Sequence, residues 1–119
     1  MDGQVLAEQQ MRNAHIINTG PSLAQAVVAH LYDVSMDDLF AATRRGAKAA
    51  FARQVVMYLM HVVYGLSLTE VAAQFRRDRT TVSHACHRVE DLRDDAVLDR
   101  QLSQLENLLR QAVHIEVGS

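Results

Sequence analysis

Only one cysteine, Cys86, occurs in 119 residues, so no disulfide can close within the chain and nothing points to an oxidising compartment. Tryptophan is absent and aromatic residues make up 5%, too few for a platform on which single-stranded nucleic acid stacks. With one proline and five glycines, long stretches lack helix breakers. No run approaches the ~18 uncharged apolar residues of a membrane span. The start, MDGQVLAEQQ, has neither the cationic flank nor the apolar run of a secretion signal. The expectation is a soluble cytoplasmic protein with no membrane partner.

What is present is a hydrophobic content of 49%, ample for one domain with a modest core. The formal net charge of −2 hides an uneven distribution. From Arg44 to Arg88 there are eight cations and two acids, Glu70 and Asp78, a net +6, whereas the remainder nets −8. A basic middle between acidic flanks is a local electrostatic footprint that suits a polyanion.

The apolar spacing predicts helices. Residues 3–17 form a weakly amphipathic candidate (Val5, Leu6, Met11, Ile16, Ile17), and Thr19-Gly20-Pro21-Ser22 breaks the chain. A second helix is expected from Leu23 to Tyr32, and a short one capped by Ser35. Ala41 to Ala50 reads as a cationic loop or frayed helix start around Gly46. Phe51 to Tyr64 is apolar nearly all round, the pattern of a central helix, and Gly65 is its natural stop. Ser67-Leu68-Thr69-Glu70 is a capping box opening a helix that runs to about Phe75. Asp78 is expected to cap the next helix, with Val82, Ala85, Cys86, Val89 and Leu92 inward. The seam Leu98, Leu102, Leu105, Leu109, Ala112 predicts a last helix lying on its own domain.

The helix after Asp78 turns Thr80, Ser83, His84 and His87 outward, with Arg79 and Thr81 at the rims. Two short helices joined by a tight turn form a helix-turn-helix pattern. Its outer face suits a major groove, because Arg forks onto guanine, hydroxyls serve base or phosphate, and a Thr methyl touches the thymine methyl.

At these residues the chain resembles the carboxy-terminal DNA-binding domain of the bacterial replication initiator DnaA, from about Leu23 to Arg110. Asp78 to Cys86 is similar to that family's Arg-Asp-His-Thr-Thr-Val-x-His-Ala-Cys signature. Ala52 to Leu59 resembles its Arg-Gln-x-x-Met-Tyr-Leu helix, and Leu66 to Val71 its Leu-Ser-Leu-x-Glu-Ile. The resemblance implies an all-α, Trp-repressor-like small helical bundle containing a helix-turn-helix, with an extension at 1–20, the binding domain at 21–113 and a tail at 114–119. It implies a minor-groove contact for Arg45 and a phosphate contact for Arg53, with Lys48, Ser67 and Leu68 near the backbone. Arg76, Arg77, Asp78, Arg79, Thr80, Thr81, Ser83, His84 and His87 would complete the interface with double-stranded DNA. Three departures stand out. Arg79 replaces the first signature His, the turn at Phe75 to Asp78 is one residue shorter than the family's Gly-Gly form, and Phe51-Ala52 replaces Arg-Pro.

No Gly-x-x-x-x-Gly-Lys-Ser/Thr loop occurs, so neither nucleotide nor other cofactor is expected. The expectation is a stand-alone, nucleoid-associated transcription regulator or modulator of replication initiation at DnaA-box-like sites. The competing reading is a protein-interaction module, with the terminal helices building a homodimer. A metal site is disfavoured because Cys86 points inward while His84 and His87 point out, and the adjacent Asp37-Asp38 and Asp94-Asp95 pairs suit helix surfaces better than catalysis.

Overall fold

The structure is a computed structural model that describes residues 20–41 and 46–118, the last six by backbone alone. The predicted helix at 3–17 and the residue Arg45 lie outside the described residues. Among the described residues the molecule is all-α. The helices are α1 (20–31), α2 (Met36–Leu39), α3 (Ala47–Val62), α4 (Leu68–Phe75), α5 (Arg79–Leu92) and α6 (Ala96–Gly118).

Helix α3 is the centre. Val55, Val56, Met57, Tyr58, Leu59 and Met60 are all buried, so successive residues face neighbours on every side, as the all-round apolar pattern predicts. The helix starts four residues earlier than expected, because Gly46 (φ +94°) makes the break and Ala47, Ala49 and Ala50 are good helix formers. The stop at Gly65 (φ +68°) is as expected. Just before it, His61 Nδ1 donates to the Leu66 carbonyl at 2.7 Å and pins the turn into α4.

Thr19 to Ser22 was expected as a break, yet helix is already present at Gly20. Gly20 also packs against Tyr64, and a Cβ there would overlap the Tyr64 ring. Gly20→Ala should therefore destabilise the fold by about 1–3 kcal/mol, read as a lower thermal midpoint.

Leu102, Leu105 and Leu109 place α6 on the same core, in keeping with a last helix that lies on its own domain. Polar contacts fix its angle. The Arg93 guanidinium, in the turn between α5 and α6, donates to Asp99 Oδ1 at 2.6 Å, Ser103 Oγ at 2.8 Å and the Tyr58 hydroxyl at 3.1 Å. It also bonds Glu106. Burial alone would lower the Arg93 pKa, but the bonds to Asp99, Glu106 and Tyr58 raise it further than burial lowers it, so the cation is secure. Leu92, expected inward, is 37% exposed because it closes the last turn of α5, where the chain tightens into 92–95.

Candidate nucleic-acid interface

Helix α4 opens with the predicted capping box. Ser67 Oγ accepts from the Glu70 amide at 3.0 Å, and Glu70 Oε1 accepts from the Ser67 amide at 3.4 Å. The Ser67 hydroxyl is thereby engaged within the fold, and Leu68 is half-buried beside it. The helix closes on Arg76, which adopts the left-handed conformation (φ 53°, ψ 47°) usually left to glycine. That conformation strains any residue with a Cβ, and the Arg76 side chain is exposed. Arg76→Gly should raise stability by about 0.5–1 kcal/mol while weakening polyanion binding, measured by thermal unfolding beside a titration.

Asp78 occupies the N-cap of α5, but its side chain makes no capping hydrogen bond, contrary to expectation. Its backbone is extended (φ −77°, ψ 150°), and only its carbonyl joins the helix, accepting from Val82 at 3.3 Å. The amides of Arg79, Thr80 and Thr81 are thus not satisfied by a side-chain cap, and they lie at the positive end of the helix. That end can receive an anion.

Along α5, Val82, Ala85, Cys86 and Val89 are buried against α3 and α4. Arg79, Thr80, Thr81, His84 and His87 are exposed, and Ser83 is half-buried. The face predicted to point outward does so, apart from the half-sheltered Ser83. Cys86 is inert in this setting. Burial first, and Glu90 second, push its thiol from 9.0 up to about 11. Between those values the native state keeps a proton that the unfolded chain has lost, so stability falls as pH rises from about 9 to about 11. At pH 8 a thiol reagent should label the native protein only at its unfolding rate.

The basic residues around α5 divide into two groups. Arg53, expected at a phosphate, is 6% exposed. Its Nε donates to the Leu39 carbonyl at 2.7 Å and its Nη2 to the Asp38 carbonyl at 2.8 Å. Burial, and after it the nearby Arg77 charge, lower its pKa from the ordinary value. Arg77 is half-buried and donates through Nη2 to the Ala41 carbonyl at 2.9 Å. Two guanidinium groups therefore clamp chain 38–41, which leads into the Arg44-Arg45 segment, against the start of α5. Phe40 stacked on Phe75 (centroids 5.0 Å apart) supports the same junction.

Lys48, Arg76, Arg79 and Arg88 are exposed cations of the second kind. Lys48 lies 3.7 Å from Asp33, both largely in solvent, a pair of little energetic consequence. Arg88 belongs to the basic segment read from the sequence but was not assigned to the interface. It lines a cleft of about 340 Å³ with Arg53, Arg77, Gln54 and the first turns of α3. Its spacing from His84 (four residues) and Thr81 (seven) was a helical signal for it. Gln54 was missed as well. Its Oε1 is buried without a partner among the described residues, and the residue lines the same cleft. Among the described residues no cluster of His, Cys, Asp or Glu could hold a metal ion.

Comparison with known proteins bears on this arrangement. Residues 21–89, more than half of the chain, match the family described as the bacterial dnaA protein helix-turn-helix. The chain belongs to that family. The DnaA helix-turn-helix is a DNA-binding module distinct from a nucleotide-hydrolysing one, and this domain is not an enzyme. The chromosomal replication initiator protein DnaA of Thermoanaerobacter sp. (strain X514) is 32% identical over 89 residues, covering 74% of this chain and 20% of that protein. The same protein from Caldanaerobacter subterraneus subsp. tengcongensis gives the same identity and coverage. The chain thus spans about one fifth of these relatives. A crystal structure of a DNA replication initiation factor superposes with a TM-score of 0.77 at 26% identity, covering 94% of this chain and 36% of the other. A replication initiator DnaA bound to AMPPCP and single-stranded DNA gives a TM-score of 0.71 at 26% identity, covering 95% and 33%.

Proposed function

We propose that this DnaA-type module binds double-stranded DNA sequence-specifically, with α5 in the major groove and the basic segment around Arg45 in the adjacent minor groove. The observation carrying this reading is the α5 surface. Arg79, Thr80, Thr81, His84 and His87 are exposed on a helix whose opposite face is anchored in the core. In this reading Arg79, Thr80 and Thr81 meet base edges, and the amides at the start of α5 meet a phosphate. Arg76, Arg88, Lys48 and Gln54 contact the backbone on either side, while Asp78, free of a capping bond, is available to accept a cytosine amino proton. Ser67 and Leu68 approach the backbone through main-chain groups, since the Ser67 hydroxyl is engaged in its box. Arg53 and Arg77 act by holding the chain that presents Arg45.

Occupying initiator-box-like duplexes would make the module a transcription regulator or a competitor that modulates replication initiation, working at the nucleoid. The test is an electrophoretic shift with initiator-box and scrambled duplexes at ~150 mM salt. Cognate preference of roughly 10³-fold supports the reading, and equal affinity ends it. About six neutralised phosphates predict a log–log salt slope near −5. Retention of a protein partner with no duplex preference would instead favour an interaction module.

A further inference from the structure

The cleft between the first turns of α3 and the middle of α5 carries positive charge that its own walls do not balance. Its volume, about 340 Å³, is at the lower end for small-ligand pockets. Arg53, Arg77 and Arg88 line it, and among the described residues no acid does. Lys48, Arg93 and Arg110 each have an acidic partner, whereas these three arginines have none among the described residues. Arg53 is buried, with the Arg77 charge close enough to lower its pKa, so two cations sit together without a counter-charge. Their bonds to carbonyls use Arg53 Nε and Nη2 and Arg77 Nη2. Arg53 Nη1, Arg77 Nε and Arg77 Nη1 make no hydrogen bond among the described residues. Gln54, on the same wall, adds a buried acceptor, Oε1, that lacks a donor.

We propose that this cleft is a seat for a small free oligophosphate, an anion of diphosphate size with a terminal phosphate group, and that its occupant competes with DNA. Guanidinium forks match phosphate oxygens, and three of them on one cleft suit an anion of more than one charge. A backbone phosphate of DNA is a diester, with a single charge and no proton to give. A terminal phosphate carries about 1.5–2 charges near neutral pH. In its protonated form it also donates to Gln54 Oε1, an oxygen that a diester leaves unsatisfied. Burial of Arg53 makes the match stronger, because a buried cation without a partner is costly and an anion offsets that cost. The competition, unlike the seat itself, rests on the DNA-binding reading above. Gln54 and Arg88 line both this cleft and the open one along α5 that includes Thr81, His84 and His87. An anion held there takes both residues from the DNA backbone and sets negative charge beside the duplex.

Calorimetric titration of sodium pyrophosphate into the full chain, at ~150 mM ionic strength, tests the seat. One pyrophosphate per chain should bind, and Arg88→Gln should weaken it roughly tenfold. Arg88 is exposed, so the substitution leaves the core intact. Arg100→Gln removes the same charge from an exposed position on α6 and should change the affinity by less than about twofold. Diethyl phosphate, a diester, should bind at least about tenfold more weakly than pyrophosphate. Pyrophosphate at about ten times its dissociation constant should then weaken duplex binding about tenfold at constant ionic strength. No binding, equal weakening by the two substitutions, or a diester as tight as pyrophosphate overturns the seat, and a duplex preference that persists keeps the DNA reading. Pyrophosphate that binds in the cleft without weakening the duplex overturns the competition. A chain that takes pyrophosphate with the expected Arg88 dependence but ignores duplex upholds the seat and ends the DNA reading instead.

Discussion

Arg53→Ala should lower stability by about 2–4 kcal/mol, from the loss of two hydrogen bonds made by a charged group, and shift the thermal midpoint down by roughly 10–20 °C. The buried guanidinium satisfies the carbonyls of Leu39 and Asp38, at 2.7 and 2.8 Å. Removing it takes the side-chain donor from the Leu39 carbonyl and leaves a cavity, while the Asp38 carbonyl keeps only the Ala41 amide at 3.4 Å. Arg53→Lys should recover only part of the loss, since one ammonium cannot reproduce the planar fork. DNA affinity should fall tenfold or more at constant salt slope, because chain 38–41 loses its mooring and the Arg77 bond to Ala41 loses its partner's position. A residue acting only at a phosphate behaves in the opposite way: its removal spares the midpoint and flattens the slope by about one. An unchanged midpoint would therefore return Arg53 to the DNA.

Replacing Thr80 and Thr81 together by Ala should reduce the preference for a cognate over a scrambled duplex by roughly 10²-fold or more, at ~1–3 kcal/mol per base contact. Both residues are exposed on the first turn of α5, so stability should move by no more than about 0.5 kcal/mol. The fold is thus a built-in control, and the measurement is a competition shift at fixed salt. Arg79→His should retune preference instead of erasing it, shifting it away from guanine, the base a guanidinium fork favours. Discrimination surviving the double substitution would move base reading off α5.

Several elements were legible because a local rule produces them. Ser35 and the Ser67–Glu70 box cap their helices through contacts three residues apart, and Gly65 ends α3 through its own backbone freedom. The inward face of α5 follows from period alone. Asp78 shows where such rules stop: its position at the N-cap is local, but whether its carboxylate turns back onto the helix is not fixed by spacing. Arg53 shows a larger limit. Nothing in its neighbours distinguishes a phosphate-binding cation from one buried under α2, since its partners lie fourteen and fifteen residues away. Gln54 and Arg88 were missed for the same reason, as their shared cleft joins α3 to α5.

The order of the helices, their caps and the cationic, hydroxyl-bearing face of α5 were set by the sequence, because each depends on residues within one or two turns. The division of the arginines was decided by tertiary structure. A guanidinium becomes a clamp or a contact according to which carbonyls other helices bring within 3 Å of it. That distance is a property of packing, so Arg53 and Arg77 turned inward while Arg76, Arg79 and Arg88 were left to solvent.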